Sequence, residues 1–114
     1  MEDCLFCKII KGEVQSKIIY EDDQLVAIED INPQAPVHIL LIPKKHIKTS
    51  VDLNDEDKDL VGCIFLAANK IARERGIADS GFRVIVNCNR DSGQVVFHIH
   101  FHLIGGRQMG WPPG

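Results

Sequence analysis

Three histidines alternate with apolar residues near the end of the chain, at His98, His100 and His102. Successive side chains of a strand point to opposite faces, so this spacing predicts three imidazoles on one face, about 6.6 Å apart. Each ring carries polar nitrogens that need partners, and a core gains nothing from three such rings in register. The pattern therefore indicates a functional site.

Two chemistries suit such a site. A neutral imidazole can attack phosphorus through Nε2 when an acceptor such as a backbone carbonyl holds Nδ1–H, and neighbouring histidines can donate to phosphoryl oxygens or assist proton transfer. In the alternative, a zinc-dependent hydrolase, His-x-His supplies two or three ligands and one coordination position stays open. A module that binds nucleotide without turnover is a further, non-enzymatic possibility.

A polar loop over residues 87–94 precedes the histidines and ends in Gly93-Gln94. Its exposed amides could surround a phosphate. We therefore expect the loop and the histidines to act on one phosphorus centre.

A Cys-x-x-Cys pair, Cys4 and Cys7, opens the chain. In a reducing compartment such a pair with histidines available indicates a metal before a disulfide. His46 and His98 are the candidates that complete a tetrahedral Cys2His2 set for structural zinc, which would supply no hydrolytic water. The alternative is that both cysteines are buried apolar residues without a metal.

The elements that must position these residues follow from hydrophobic spacing. One long helix is predicted from Asn54, a possible N-cap, to about Arg75, before Gly76. A short helix is predicted over 4–11, and strands over 17–21, 25–30, 37–42, 82–87 and 95–104. Only the long helix could serve as a crossover, so we predict an α+β domain with a mainly antiparallel five-stranded sheet.

Length and composition set outer bounds. The 114 residues, 45% hydrophobic and 25% charged, fit one domain over 1–114 with 105–114 as a tail. The formal charge of −3 gives no broad attraction to a nucleic-acid polymer or an anionic membrane. No apolar stretch approaches the length of a membrane span and no leader is visible, so we expect a cytoplasmic protein.

The chain resembles the histidine-triad family, and its Hint-like branch in particular. The resemblance covers nearly the whole length and rests on the run His98–Ile104 and on several further strings in the same order. These are Phe6-Cys7-Lys8-Ile9-Ile10, Tyr20-Glu21-Asp22-Asp23, Asp30-Ile31-Asn32-Pro33-Gln34-Ala35-Pro36, Ile42-Pro43-Lys44-Lys45-His46 and Gly105-Gly106-Arg107-Gln108-Met109.

The resemblance implies a HIT-like fold and hydrolysis of purine nucleoside 5′-phosphoramidates through a covalent nucleotidyl-histidine, with a purine nucleoside monophosphate as product. It implies His100 as the nucleophile, His102 at the phosphate and leaving group, and His38 and His98 in support. It also implies ribose binding by Asp30, a phosphate site lined by Asn87, Gly93 and Gln94, and a base pocket of Leu5, Phe6, Ile9, Val14, Ile28 and Ile31. Family members with the Cys-x-x-Cys start carry the zinc site, whereas the chemistry itself needs no cofactor.

The tail carries the only tryptophan, Trp111, in a Gly- and Pro-rich segment too short to form a core. An exposed aromatic of this kind often marks an interface. The resemblance implies a homodimer in which the long helix and a strand pair across the axis and each tail approaches the other subunit's site. One departure from the branch is Val95, where a serine is common, so a hydroxyl contribution to the leaving group is absent.

Overall fold

A five-stranded antiparallel sheet forms the centre of the computed structural model, which describes residues 3–114; the first two residues of the predicted domain lie outside that range. The strand order is β1-β2-β3-β5-β4. The strands are β1 Ile18–Glu21, β2 Leu25–Glu29, β3 Val37–Pro43, β4 Phe82–Val86 and β5 Phe101–Gly105. The helices are α1 Leu5–Ile10, α2 Lys58–Glu74 and α3 Asn89–Ser92. The predicted α+β architecture, with one long and one short N-terminal helix, is confirmed.

The two faces of the sheet carry different helices. Alternate residues of the strands, such as Ile39, Leu41 and Leu103, pack with α2 in one apolar cluster. The residues between them, including Leu40 and Ile42, pack on the other face with Phe6 and Ile9 of α1. Strand alternation therefore separates the α2 side of the sheet from the α1 side.

Helix α2 supplies the crossover that the sequence predicts. It connects β3 to β4, and both strands are antiparallel to β5, which lies between them. The Asn54 side chain accepts a hydrogen bond from the Glu56 amide at the start, although residues 55–57 form a 3-10 turn before the α-helix begins. Gly76 follows the helix with a φ of +74°, a conformation that favours glycine.

The last strand is shorter than predicted. We expected a strand over 95–104, but β5 begins only at Phe101, so His98 and His100 precede the strand. Continuing the register of β3 and β5 would place Pro43 opposite Ile99, and proline has no N–H to donate to the ladder. The Pro43 carbonyl instead accepts a hydrogen bond from Nε2 of the His98 imidazole, at 2.7 Å.

The segment over 88–94, predicted as a loop, contains the four-residue helix α3 and ends at Gly93 with a φ of +89°. At the other end of β5, the strand includes Gly105, one residue into the predicted tail. Among residues 3–114, no helix combines the length and apolar character needed to cross a bilayer.

Candidate active site and metal centre

His100 presents an unprotonated nitrogen to a cavity on the α1 side of the sheet. Its Nδ1 lies 2.8 Å from the backbone carbonyl oxygen of His98. A carbonyl can only accept, so Nδ1 carries the ring proton and Nε2 keeps its lone pair. Burial lowers the pKa of His100 below its usual value, which favours the neutral ring. This is the form that attack on phosphorus requires.

His102 has the opposite tautomer, which follows from a chain of hydrogen bonds. The Gln34 amide donates to Nδ1 of His38 at 3.0 Å, so the neutral His38 ring carries its proton on Nε2. That Nε2–H donates to Nδ1 of His102 at 2.9 Å. His102 is left with its proton on Nε2. The two neighbouring rings, whose centroids are 5.0 Å apart, therefore offer a lone pair and a donor.

Burial, with the His100 and His38 rings close by, lowers the pKa of His102 to about 4. The neutral ring is the favoured form at pH 7, so His102 acts as a hydrogen-bond donor and not as a cationic acid. It can stabilise charge on a phosphoryl oxygen.

We expect the His102 ring protons to titrate near pH 4 in a proton NMR experiment on the folded chain. The unfolded value is about 6.5, so the unfolded state binds more protons between the two values. The contribution to stability is therefore complete above pH 6.5 and is lost as the pH falls to 4, by roughly 3 kcal/mol. A His102 resonance that titrates above pH 6 would contradict the effect of burial on this ring.

Asp30, His38 and His102 also approach one another closely enough to be considered as metal ligands. The Asp30 carboxylate lies 3.3 Å from His38 Nε2 and accepts a hydrogen bond from the Asn32 amide at 2.8 Å. In the assigned tautomer, however, His38 Nε2 carries a proton and donates it to His102. The trio therefore forms a hydrogen-bonded network, which disfavours the zinc-dependent alternative at this position.

A cavity of about 290 Å³ is lined by His100 and His102 on one side and by an apolar wall on the other. Asp30 lines this cavity. So do all six residues of the predicted base pocket, which are Leu5, Phe6, Ile9, Val14, Ile28 and Ile31. Ile31 is 97% exposed and forms the rim. Sequence reasoning missed five further lining residues, which carry no distinctive motif: Gln15, Ser16, Glu29, Leu40 and Val96.

The predicted phosphate loop is not among the residues that line this cavity. The Gln94 side chain is buried, where it accepts from the Asn89 amide at 2.8 Å and donates to the carbonyls of Lys48 and Val96. These bonds fix the shape of the loop and use the polar atoms of the Gln94 amide. Asn87 and Gly93 likewise lie outside the cavity wall.

The four proposed zinc ligands converge on one point beside the triad. Cys4 Sγ lies 3.4 Å and Cys7 Sγ 3.6 Å from Nδ1 of His98, and Cys7 Sγ lies 3.3 Å from Nδ1 of His46. The two Nδ1 atoms are 3.0 Å apart. The edges of a tetrahedron with Zn–S and Zn–N bonds of ordinary length are about 3.3 to 3.8 Å. The three sulfur–nitrogen distances fall in this range and the Nδ1–Nδ1 distance is slightly shorter, so a small separation of the two rings would accommodate a four-coordinate ion.

The chemistry of the donors fits zinc as well. His98 Nε2 lies 2.7 Å from the Pro43 carbonyl, so Nε2 carries the ring proton and Nδ1 turns a lone pair toward the sulfur atoms. Burial lowers the pKa of both His46 and His98, which favours the neutral rings that ligation needs. These residues would hold a closed site, with every ligand supplied by the chain.

Comparisons of the sequence and of the structure with known proteins all indicate one family. The family model for the HIT domain matches residues 11–109. A purine nucleoside phosphoramidase of Escherichia coli is 49% identical over 109 residues, which are 96% of this chain and 92% of that protein. A HIT family hydrolase from Legionella pneumophila superimposes with a TM-score of 0.97 at 51% identity, covering 98% of this chain and 100% of that one. A histidine triad protein from Clostridium difficile has a TM-score of 0.93 at 47% identity, with 96% of each chain covered.

Proposed function

Because the chain belongs to the HIT domain family, we propose that it hydrolyses purine nucleoside 5′-phosphoramidates through a covalent nucleotidyl-histidine. The observation that carries the proposal is the pair of opposite tautomers, a lone pair on His100 Nε2 beside a donor on His102 Nε2. The identity to a phosphoramidase over nearly the full chain supports the substrate class.

The proposed reaction has two displacements at phosphorus. His100 Nε2 attacks, the P–N bond breaks, and the amine leaves with a proton from water, while His102 Nε2–H donates to a phosphoryl oxygen. The hydroxide left by that water then attacks the nucleotidyl-histidine, the N–P bond to His100 breaks, which restores the neutral ring, and the nucleoside monophosphate is released. His98 and His38 support the two tautomers and do not contact the phosphorus.

The rest of the cavity suits a purine ribonucleoside. The apolar wall can cover a flat base, and the Asp30 carboxylate, whose side chain is 19% exposed, retains lone pairs for two vicinal hydroxyls. The proposed ligands are therefore purine nucleoside monophosphates and their phosphoramidate derivatives.

The direct test is incubation with adenosine 5′-phosphoramidate, followed by intact-mass measurement after rapid quenching. We expect an acid-labile nucleotidyl adduct and release of AMP. A metal-dependent hydrolase would release AMP without an adduct, whereas a nucleotide-binding module would give neither product. Both of those results would overturn the proposal.

Ribose recognition gives a second test. We expect Asp30→Ala to weaken binding of AMP by roughly 10- to 100-fold, since hydrogen bonds to a charged group are lost. The 2′,3′-dideoxy analogue should lose much less, because it has no hydroxyls for Asp30 to bind. Calorimetry with both nucleotides measures the difference, and equal losses would remove Asp30 from the ribose site.

We also propose a homodimer formed through α2 and β4. Phe65 and Leu66 on α2 are 45% and 68% exposed, and the outer edge of β4 has no strand partner among residues 3–114. Exposed apolar faces and open strand edges are typical of interfaces. Trp111 in the tail is 83% exposed and could reach a neighbouring subunit.

Light scattering should give the mass of a dimer for the parent chain. Leu66→Glu should shift the population to monomer, because it places a charge in an apolar interface. Val51→Glu, at an exposed apolar position outside α2 and β4, is the matched control and should remain dimeric. A monomeric parent would refute the proposal.

We further propose a cytoplasmic location and structural zinc at Cys4, Cys7, His46 and His98. None of the four cysteines forms a disulfide, and a reducing compartment favours that state. The convergence of the four donor atoms supports the metal.

A further inference from the structure

We infer that the proposed zinc centre positions the nucleophile, with His98 and Phe6 as the positioning residues that hold the His100 ring with its proton on Nδ1. The inference rests on the proposed function and deepens it, because it connects a structural metal site to the rate of the first displacement. The contacts of two residues carry it.

His98 belongs to the metal centre and to the active site at once. Its Nδ1 faces the two sulfur atoms and His46, and its Nε2–H donates to the Pro43 carbonyl. Its own backbone carbonyl accepts the Nδ1–H of His100 at 2.8 Å. The side chain that binds the metal and the carbonyl that fixes the nucleophile thus belong to one fully buried residue.

The sheet does not fix the His98 carbonyl. The ladder of β5 begins at Phe101, and the nearest backbone bond on the upstream side runs from the Ile99 amide to the Ile47 carbonyl. The Ile99 amide belongs to the same peptide as the His98 carbonyl, so this bond and the anchoring of the His98 side chain together orient that peptide. Ile47 directly follows His46, so both contacts adjoin members of the ligand set. Of the four polar groups that contact the His98 ring, Cys4, Cys7 and His46 belong to the ligand set and the fourth is the Pro43 carbonyl.

Phe6 makes the second connection. It lies between Cys4 and Cys7 and is buried, and its ring stands edge-on to His100 with centroids 4.9 Å apart and to His98 at 5.9 Å. Helix α1 has six residues, too few to be stable alone, so its position depends on packing and on the two cysteines that flank Phe6. A fixed Phe6 leaves the His100 ring little room to rotate.

Loss of the metal should therefore slow the attack of His100 on phosphorus more than it weakens binding of the nucleoside. The His100 ring could then rotate, or its proton could move from Nδ1 to Nε2. In both cases Nε2 no longer presents a lone pair to phosphorus. Asp30 and Ile28, which would hold the nucleoside, lie on or beside β2 and have no part in the ligand set. We expect kcat to fall by about 10- to 100-fold, the usual effect of losing groups that orient a site, with a smaller rise in KM, because Leu5, Phe6 and Ile9 of the apolar wall lie on α1.

The experiment compares the zinc-loaded parent, the chelated parent, and the Cys4→Ser/Cys7→Ser variant, with Cys63→Ser on α2 as the matched control. Nitrogen-15 NMR reports which ring nitrogen of His100 carries the proton, and single-turnover kinetics report the rate of adduct formation. In the loaded parent and the control we expect a protonated Nδ1. After metal loss we expect mixed tautomers and the lower kcat.

Unchanged His100 signals and unchanged kcat in a folded, metal-free chain would overturn the inference. If chelation unfolds the chain, Phe6→Leu decides the question, since it keeps all four ligands. That variant should bind as much zinc as the parent, and its His100 signals should show both tautomers; signals identical to those of the parent would overturn the inference. The NMR result needs no substrate, so a parent that forms no adduct refutes the proposed function separately.

Discussion

Replacing His100 by asparagine should abolish turnover of adenosine 5′-phosphoramidate while leaving AMP binding within a few-fold of the parent. Asparagine has no nitrogen that can attack phosphorus, whereas the apolar wall and Asp30 remain in place. Loss of a nucleophile typically lowers kcat by a factor on the order of 10⁴ to 10⁶. Steady-state kinetics and calorimetry on the same sample separate the two quantities.

The control is Arg73→Ala, an exposed position on α2 at the opposite face of the sheet, which should keep parental turnover. Mass measurement of the quenched reaction should show no adduct on the asparagine variant. Turnover of His100→Asn within tenfold of the parent would remove the covalent mechanism, whatever the affinity for AMP.

The helices and strands that position the site were predictable because each has a local cause. The apolar spacing of α2 and the Asn54 cap of the 3-10 turn before it define the long helix. The run from Val37 to Pro43, apolar except for His38, defines the central strand. The alternation of histidines with Ile99 and Phe101 predicted which side chains share a face, and those two apolar residues do pack on the α2 side. Local pattern was sufficient for these features.

The start of β5 was not predictable from its own residues. The segment over 95–100 has strand-like alternation, but the register that would bring Pro43 opposite Ile99 if the ladder continued is set between two distant segments. The same limit applies to Gln94. Its type suggested a ligand to phosphate, whereas three partners from Lys48, Asn89 and Val96 hold its amide inside the loop.

The tautomers were predictable only in part. An acceptor for His100 Nδ1 follows from the chemistry of a histidine nucleophile, and the structure supplies the His98 carbonyl. The chain from the Gln34 amide through His38 to His102 was invisible in the sequence, because Gln34 and His102 are joined only by the fold. A network assembled from two distant segments, 34–38 and 98–102, leaves no single spacing to detect.

Zinc removal should have the largest effect on stability. We expect one zinc per chain by elemental analysis of protein purified without added metal. When free zinc exceeds its dissociation constant 1,000-fold, binding to the folded state alone contributes about 4 kcal/mol. For a chain of this length that corresponds to a fall in Tm of roughly 15 °C on chelation.

The effect is large because the ligands would connect α1 to two further segments of the chain, in addition to the apolar packing of Phe6 and Ile9 on the sheet. Cys4 and Cys7 flank the first turn of a six-residue helix, and His46 and His98 lie on segments outside the strands. Cys4→Ser/Cys7→Ser should lose both the zinc and the response of Tm to chelator, whereas Cys63→Ser/Cys88→Ser should keep both. If the first variant binds as much zinc as the parent, the metal lies elsewhere, and the converging Cys4, Cys7, His46 and His98 are a packed cluster of thiols and imidazoles.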